Sequence, residues 1–296
     1  MTDIAITTPP ISDQTKGLIY GFLGVLVFSG SLPATRAAVA DFDPVFVTGA
    51  RAVIAGVLGA AMLLALKAKR PEKSDLLPLL GVTMGVVVVW PLMIAFSLKI
   101  VPSAHGTMFI GLLPLMTAIF GVLRGGETPK PRFWFFAVAG SALVVGYAFF
   151  SNGLALSVPD LFMLIGVTVC GYGYAEGAQL TRRLGGWQAI SWALVLGMPL
   201  MLALSFLYAP ADFHTVHAAS WLGLIYAGLM AMLVGFVFWY RGLALGGTAS
   251  VGLLQLTQPF FSFVIAFLFL GEAISGAMIA ITVAVVACVV AARRSA

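Results

Sequence analysis

Ten apolar runs, each long enough as a helix to cross the hydrocarbon core of a bilayer, follow one another with only a few residues between them. They cover roughly residues 17–39, 45–66, 76–98, 103–123, 132–150, 160–181, 188–208, 218–240, 248–270 and 273–292, and about 20 helical residues suffice for each crossing. Such spacing leaves no room for a soluble domain. Lipid cannot satisfy the backbone of an open sheet edge, and the two-residue alternation of a lipid-facing barrel is absent. The expected fold class is therefore an all-α membrane protein. Composition agrees: AVILMFWYC make up 61% of the chain and DEKR only 9%, about a third of the charged share of an ordinary soluble domain.

The formal charge of +5 would point to nucleic acid in a soluble protein. Here the basic residues fall in short clusters between apolar runs and read as topology signals, so no nucleic acid partner is expected. If the amino terminus is cytoplasmic, all but three of the sixteen Lys and Arg residues fall inside, the exceptions being Arg36, Arg51 and Lys99. The opposite loops hold Asp41, Asp43, Asp160 and Asp212. Both termini are thus expected in the cytoplasm, with the chain in a bacterial inner membrane. The stretch AVAD, Ala38 to Asp41, mimics a signal-peptidase site. However, the leader carries two aspartates and the apolar run is longer than a signal h-region, so the first helix is expected to be retained.

Two stretches match across the chain. SAHGTMFIGLLPLMTAIFGVLRGGE, Ser103 to Glu127, slides onto TASVGLLQLTQPFFSFVIAFLFLGE, Thr248 to Glu272, by 145 residues. Pro114 then meets Pro259, Gly126 meets Gly271, and Glu127 meets Glu272. The helix-breaking and polar matches carry the weight, because Leu and Ala coincide often by chance. A five-helix unit is odd, so a second copy enters the membrane from the opposite side. The expected architecture is ten helices in two inverted repeats around a central cavity, the arrangement that secondary transporters use for alternating access. The boundaries follow: tail 1–16, first repeat 17–150, outer linker 151–159, second repeat 160–292, tail 293–296. TPKPRF, residues 128–133, precedes the fifth run where the tenth follows Glu272 almost directly, so these two peripheral helices are expected to differ in spacing.

These features, with RAVIAGVLGAAML and its early Arg51, resemble the drug/metabolite transporter superfamily and its EamA-type group over essentially the whole chain. Length and the lack of soluble insertions are most similar to the amino-acid exporters, including the YddG-like aromatic amino-acid exporters. The resemblance implies a secondary transporter of small organic metabolites, aromatic or other neutral amino acids first among them, with other metabolites or drugs as the alternative.

Polar residues at membrane depth are the candidate pathway. Gln255 and Gln258 are three apart on one helix face, and Pro259 removes a backbone donor beside them. Two readings are open: lining of a wet cavity, or hydrogen bonding between helices. Thr107 and Pro114 would face the same region from the other half. Arg51 lies early in the second helix and Arg36 late in the first; a guanidinium there either binds a carboxylate bidentately, snorkels to headgroups, or pairs with Asp41 or Asp43. Glu176, one turn after Tyr172, is either a functional intramembrane acid or a residue solvated near Arg182. Trp90 before Pro91 either lines the cavity or packs the core. The remaining tryptophans and Tyr240 suit a headgroup belt, and His105 suits the outer surface better than a proton relay.

A membrane-embedded enzyme would need a nucleophile with its base or a metal cluster. The histidines are scattered and Cys170 and Cys288 lie apart in apolar runs, so no enzyme, metal or cofactor is expected. A receptor or scaffold is the other competing class. No phosphate-binding glycine loop occurs, so no ATPase subunit is implied. The expected partners are the lipid bilayer and a small-molecule substrate, the chain acting as a monomer.

Overall fold

The computed structural model describes residues 12–126, 128–151, 157–273 and 275–293. Glu127, most of the linker at 152–156, and residues 1–11 and 294–296 of the expected tails lie outside the described residues. Among the described residues there is no strand. Seven helices are long and apolar enough to cross a membrane: α1 Asp13–Asp41, α2 Pro44–Ala65, α3 Lys73–Ile100, α7 Val158–Leu184, α8 Gly186–Leu207, α9 Ala218–Gly246 and α10 Thr248–Leu270. Four more complete the order: α4 Ser103–Ile110, α5 Leu113–Gly125, α6 Pro131–Ser151 and α11 Gly276–Arg293. The run expected at 103–123 is thus broken in two at Gly111 and Leu112, just before Pro114. A proline removes the amide that would bond four residues back, here to Ile110; at the break itself Ser141 of α6 donates to the buried carbonyl of Gly111 at 2.8 Å.

Several helices depart from regular α geometry. Thr83–Val89 of α3 and Tyr226–Val234 of α9 are wound as π-helix, and Leu253–Thr257 of α10 as a 3₁₀ turn ending at Gln258 and Pro259. Such turns cluster at functional sites because they re-aim side chains and free backbone groups. Gly126 and Gly271 end α5 and α10 with φ of 64° and 68°, a left-handed conformation open to glycine at no steric cost.

The longest seams join helices from opposite halves of the chain: α2 with α8, α1 with α9, α3 with α7, α5 with α7, and α6 with α11. In lipid there is no hydrophobic force between helices, so small residues that let backbones approach closely take its place. On α1, Gly17 lies so close to α9 that a Cβ there would come within 2.5 Å of the Gly246 amide. One core runs through α1, α2, α3, α7, α8 and α9. A smaller one, with Phe133, Leu253, Leu256 and Phe263, seats α6 against α10. Leu64, Phe150, Phe206 and Phe269 stand largely exposed on the outside, a surface suited to acyl chains.

Candidate functional site

A closed cavity of about 20 Å³ sits where α1, α2, α3, α5, α7, α9 and α10 meet, room for about one water. Three of the residues expected in the pathway line it together: Arg51, Trp90 and Gln258. Phe28, Tyr174 and Phe236 complete an aromatic wall. The irregular turns of α3, α9 and α10 adjoin it, Trp90 following the π segment of α3 and Gln258 the 3₁₀ turn of α10.

The kink of α1 explains how α10 is held. Pro33 has no amide for the carbonyl of Ser29, and Ser262 of α10 donates to that oxygen at 2.8 Å. Beside it, Gln258 Nε2 donates to the carbonyl of Phe28 at 3.3 Å and the Tyr226 hydroxyl to that of Val27 at 2.9 Å. Gln255 is buried next to the cavity lining and donates to the Tyr174 hydroxyl at 3.4 Å. The amide of Gln258 closes back on the Gln255 carbonyl, which Pro259 leaves without its usual donor. The glutamines therefore do bond helices together, yet each keeps a free end: Oε1 of Gln255 and Oε1 of Gln258 are buried without a partner.

Arg51 is only 4% exposed, and its Nε and Nη1 have no partner. No acidic residue lines the cavity, and the buried guanidinium does not reach the headgroups and has no ion pair among the described residues. Burying an unpaired charge is costly unless something else binds it.

The remaining expected residues lie elsewhere. Arg36 does not join Arg51; its Nη1 donates to the carbonyl of Leu98 at 2.5 Å, while Lys99 Nζ donates back to that of Val39 at 2.5 Å. The two cations thus cap the carboxyl ends of each other's helices, where unsatisfied carbonyls favour positive charge. Leu32, Leu98 and Met163 pack closely around Gly106. Thr107 bonds its own helix at Ser103, and Pro114 is buried beside the lining residue Leu113. His105 pairs with Asp160 at 2.6 Å. At the opposite end Glu176, fully buried, pairs with Arg124 of α5 rather than Arg182. Tyr172 packs edge-on to Phe120 there. Arg183 bonds Asp75 at 3.0 Å.

Trp239 and Tyr240 correct the headgroup-belt expectation: both are completely buried between α1, α7 and α9, because the glycine seam draws α9 into the core. Tyr174 was not legible as a site residue. Tyr172 and Tyr174 are two apart, hence on nearly opposite faces of α7, and only packing decides which face looks inward.

Among the described residues the chain is an all-helical bundle with seven helices long and apolar enough to cross a membrane, the build of an integral membrane protein. The chain belongs to the EamA-like transporter family, whose model matches residues 15–151 and again 157–293. It is 56% identical over 284 residues, 96% of this chain and 99% of the relative, to the uncharacterized transporter YdeK of Bacillus subtilis (strain 168). It is 25% identical over 260 residues, 84% of each chain, to a protein of Streptantibioticus cattleyicolor named "Probable terminal-alkyne amino-acid exporter". A solved crystal structure shares the fold, with a TM-score of 0.74 at 20% identity over 94% of this chain and 98% of that one.

Proposed function

We propose that this transporter exports neutral amino acids, aromatic ones included, by alternating access between two inverted five-helix halves. The observation that carries the substrate reading is the pairing of unmet needs in one closed cavity. Arg51 offers unbonded cationic donors that suit a carboxylate, Gln258 Oε1 offers an unbonded acceptor that suits an ammonium, and Phe28, Trp90, Tyr174 and Phe236 offer an apolar wall. A zwitterion with an apolar side chain meets all three. The cavity is then the occluded state, widening as one end opens. The amino-acid exporter name of the distant relative supports the same substrate class.

Support for the repeat comes from features displaced by 145 residues. Gly126 and Gly271 share their left-handed turn, Pro114 and Pro259 each follow a broken turn, and α6 and α11 begin at Pro131 and Gly276. Those two starts are in register, so the inserted prolines of residues 128–133 do not shift the peripheral helix. The π segments of α3 and α9 also fall at corresponding positions, and the family model matches each half. Ten crossings in repeats 17–150 and 160–292, joined by an outer linker at 151–159 and leaving both termini cytoplasmic in the inner membrane, are the reading we adopt. The chain performs no reaction on its substrate and works without cofactor or ATPase, as a monomer.

Flux of radiolabelled amino acids into liposomes holding the purified protein tests this. Saturable flux of phenylalanine or leucine that phenylpropionate, lacking the amine, fails to compete is the expected result. Equal competition by phenylpropionate would leave only the anion half of the site. Absence of flux for every neutral amino acid would remove the reading.

A further inference from the structure

At the end of the bundle that carries Asp41, a polar cavity of about 740 Å³ lies among the ends of α1, α3, α9 and α10. Arg36, Lys99, Asp41, His217 and Glu272 line it. The two acids are already served. Asp41 accepts from the His217 amide and ring and from Ser220, and Glu272 accepts from Ser103 and Ala104. The two cations bond only neutral carbonyls and, with five and three N–H donors, keep donors unused, whereas the carboxylate oxygens are already occupied. What this cavity has left to offer is therefore hydrogen-bond donors on two cations, which suit an anionic oxygen.

A second cavity, of about 400 Å³, is almost entirely apolar and shares Ala37, Ala219 and Leu270 with the first. It runs between α1, α9 and α10 from Ala219 down to Tyr226 and is walled by Ile265 and Phe269, a depth of about 10 Å by helical rise. Leu222 and Phe269 stand mostly exposed at its mouth, so it opens sideways toward the acyl region. Polar at the helix ends and apolar deeper along the helices is the order of groups in a lipid of that leaflet.

We propose that these joined cavities are a binding site for one phospholipid, its phosphate held by Arg36 and Lys99 and one acyl chain lying in the groove beside Tyr226 and Phe269. Guanidinium and ammonium groups bind phosphate through charge-assisted bonds, and the groove supplies the apolar contact that a soluble anion would not use. The two joined cavities share no lining residue with the central cavity.

Native mass spectrometry of the detergent-purified full chain tests the proposal, with dioleoyl phosphatidylglycerol, dioleoylglycerol and glycerol 3-phosphate as probes. The phospholipid should bind at one saturable site, at least about tenfold more tightly than either the phosphate-free lipid or the tail-free phosphate. Arg36→Gln with Lys99→Gln should weaken it about tenfold or more. Those cations also cap helix ends, so Ala219→Phe serves as the second variant: it touches no cap, fills the junction of the cavities, and should weaken the phospholipid equally while the protein stays folded and monodisperse. Undiminished phospholipid binding in Ala219→Phe, equal affinity for glycerol 3-phosphate, or displacement of the lipid by free phenylalanine would each overturn the assignment, the last by making the cavity part of the substrate path.

Discussion

Glu272, just past the end of α10, holds the first turn of α4: its Oε1 accepts from the amide and hydroxyl of Ser103 at 3.3 and 2.8 Å, and its Oε2 from the amide of Ala104 at 3.1 Å. A carboxylate at a helix amino terminus satisfies orphan amides and complements the dipole. The Gly-Glu pair therefore does more than end its own helix. Glu272→Ala should lower stability by about 1 kcal/mol, read as a lower unfolding midpoint in detergent. Glu272→Gln should fall between. A midpoint unchanged in Glu272→Ala would mean the cap carries no energy.

The Arg124 and Glu176 pair joins α5 to α7. Arg124→Ala leaves a buried carboxylate alone and should cost about 2–3 kcal/mol, toward the low side because the Arg124 side chain is 46% exposed. Glu176→Gln should cost less, and the double variant should recover most of the Arg124→Ala loss. Simple additivity of the two losses in thermal unfolding would show that the residues do not act as a pair.

Arg51→Lys replaces a planar fork with a point charge. The apparent affinity for phenylalanine should weaken severalfold, about 1 kcal/mol, without loss of folded protein, and Arg51→Gln should weaken it further. An unaltered half-saturation concentration in Arg51→Lys liposomes would sever Arg51 from the substrate carboxylate.

Gln258 and Pro259 separate into two roles. Gln258→Leu removes the bond to the Phe28 carbonyl and the free acceptor, so substrate affinity should drop while access still alternates. Pro259→Ala restores the missing amide, relaxes the 3₁₀ turn, and should slow turnover with affinity nearly kept. Pro114→Ala should do the same with the bias toward the opposite access state. Wild-type flux and unshifted cysteine accessibility in both proline variants would reduce the prolines to packing.

Sidedness is checked by cysteine labelling with an impermeant reagent on intact cells. Positions beside Asp43 and Thr215 should react, whereas those beside Lys69, Lys130 and Arg183 should not. Reaction of the second group would invert the orientation and place the proposed lipid site in the other leaflet.

That the described residues are helical, with seven helices fit to cross a membrane, and that the chain is an EamA-like transporter could be read from the sequence alone. Bilayer thickness sets segment length, unsatisfied amides in lipid leave helix as the choice, and Pro114, Pro259, Gly126 and Gly271 each impose a local backbone constraint that no partner is needed to explain. That Gln258, Trp90 and Arg51 were site candidates followed from the cost of polar groups at depth. What the tertiary structure alone decided is where such groups spend their bonds. Arg51 could have reached headgroups, and it stays inside because α2 packs its face against α8 and the central helices. Arg36 took the helix end of a neighbour 62 residues away, a contact with no local signature. Tyr174 rather than Tyr172 faces the cavity, and Trp239 is buried rather than interfacial, because helix rotation is set by the glycine seams between elements far apart in the chain. Local chemistry determines that a segment is a helix and what it carries; only the packing of all of them determines which way each side chain points.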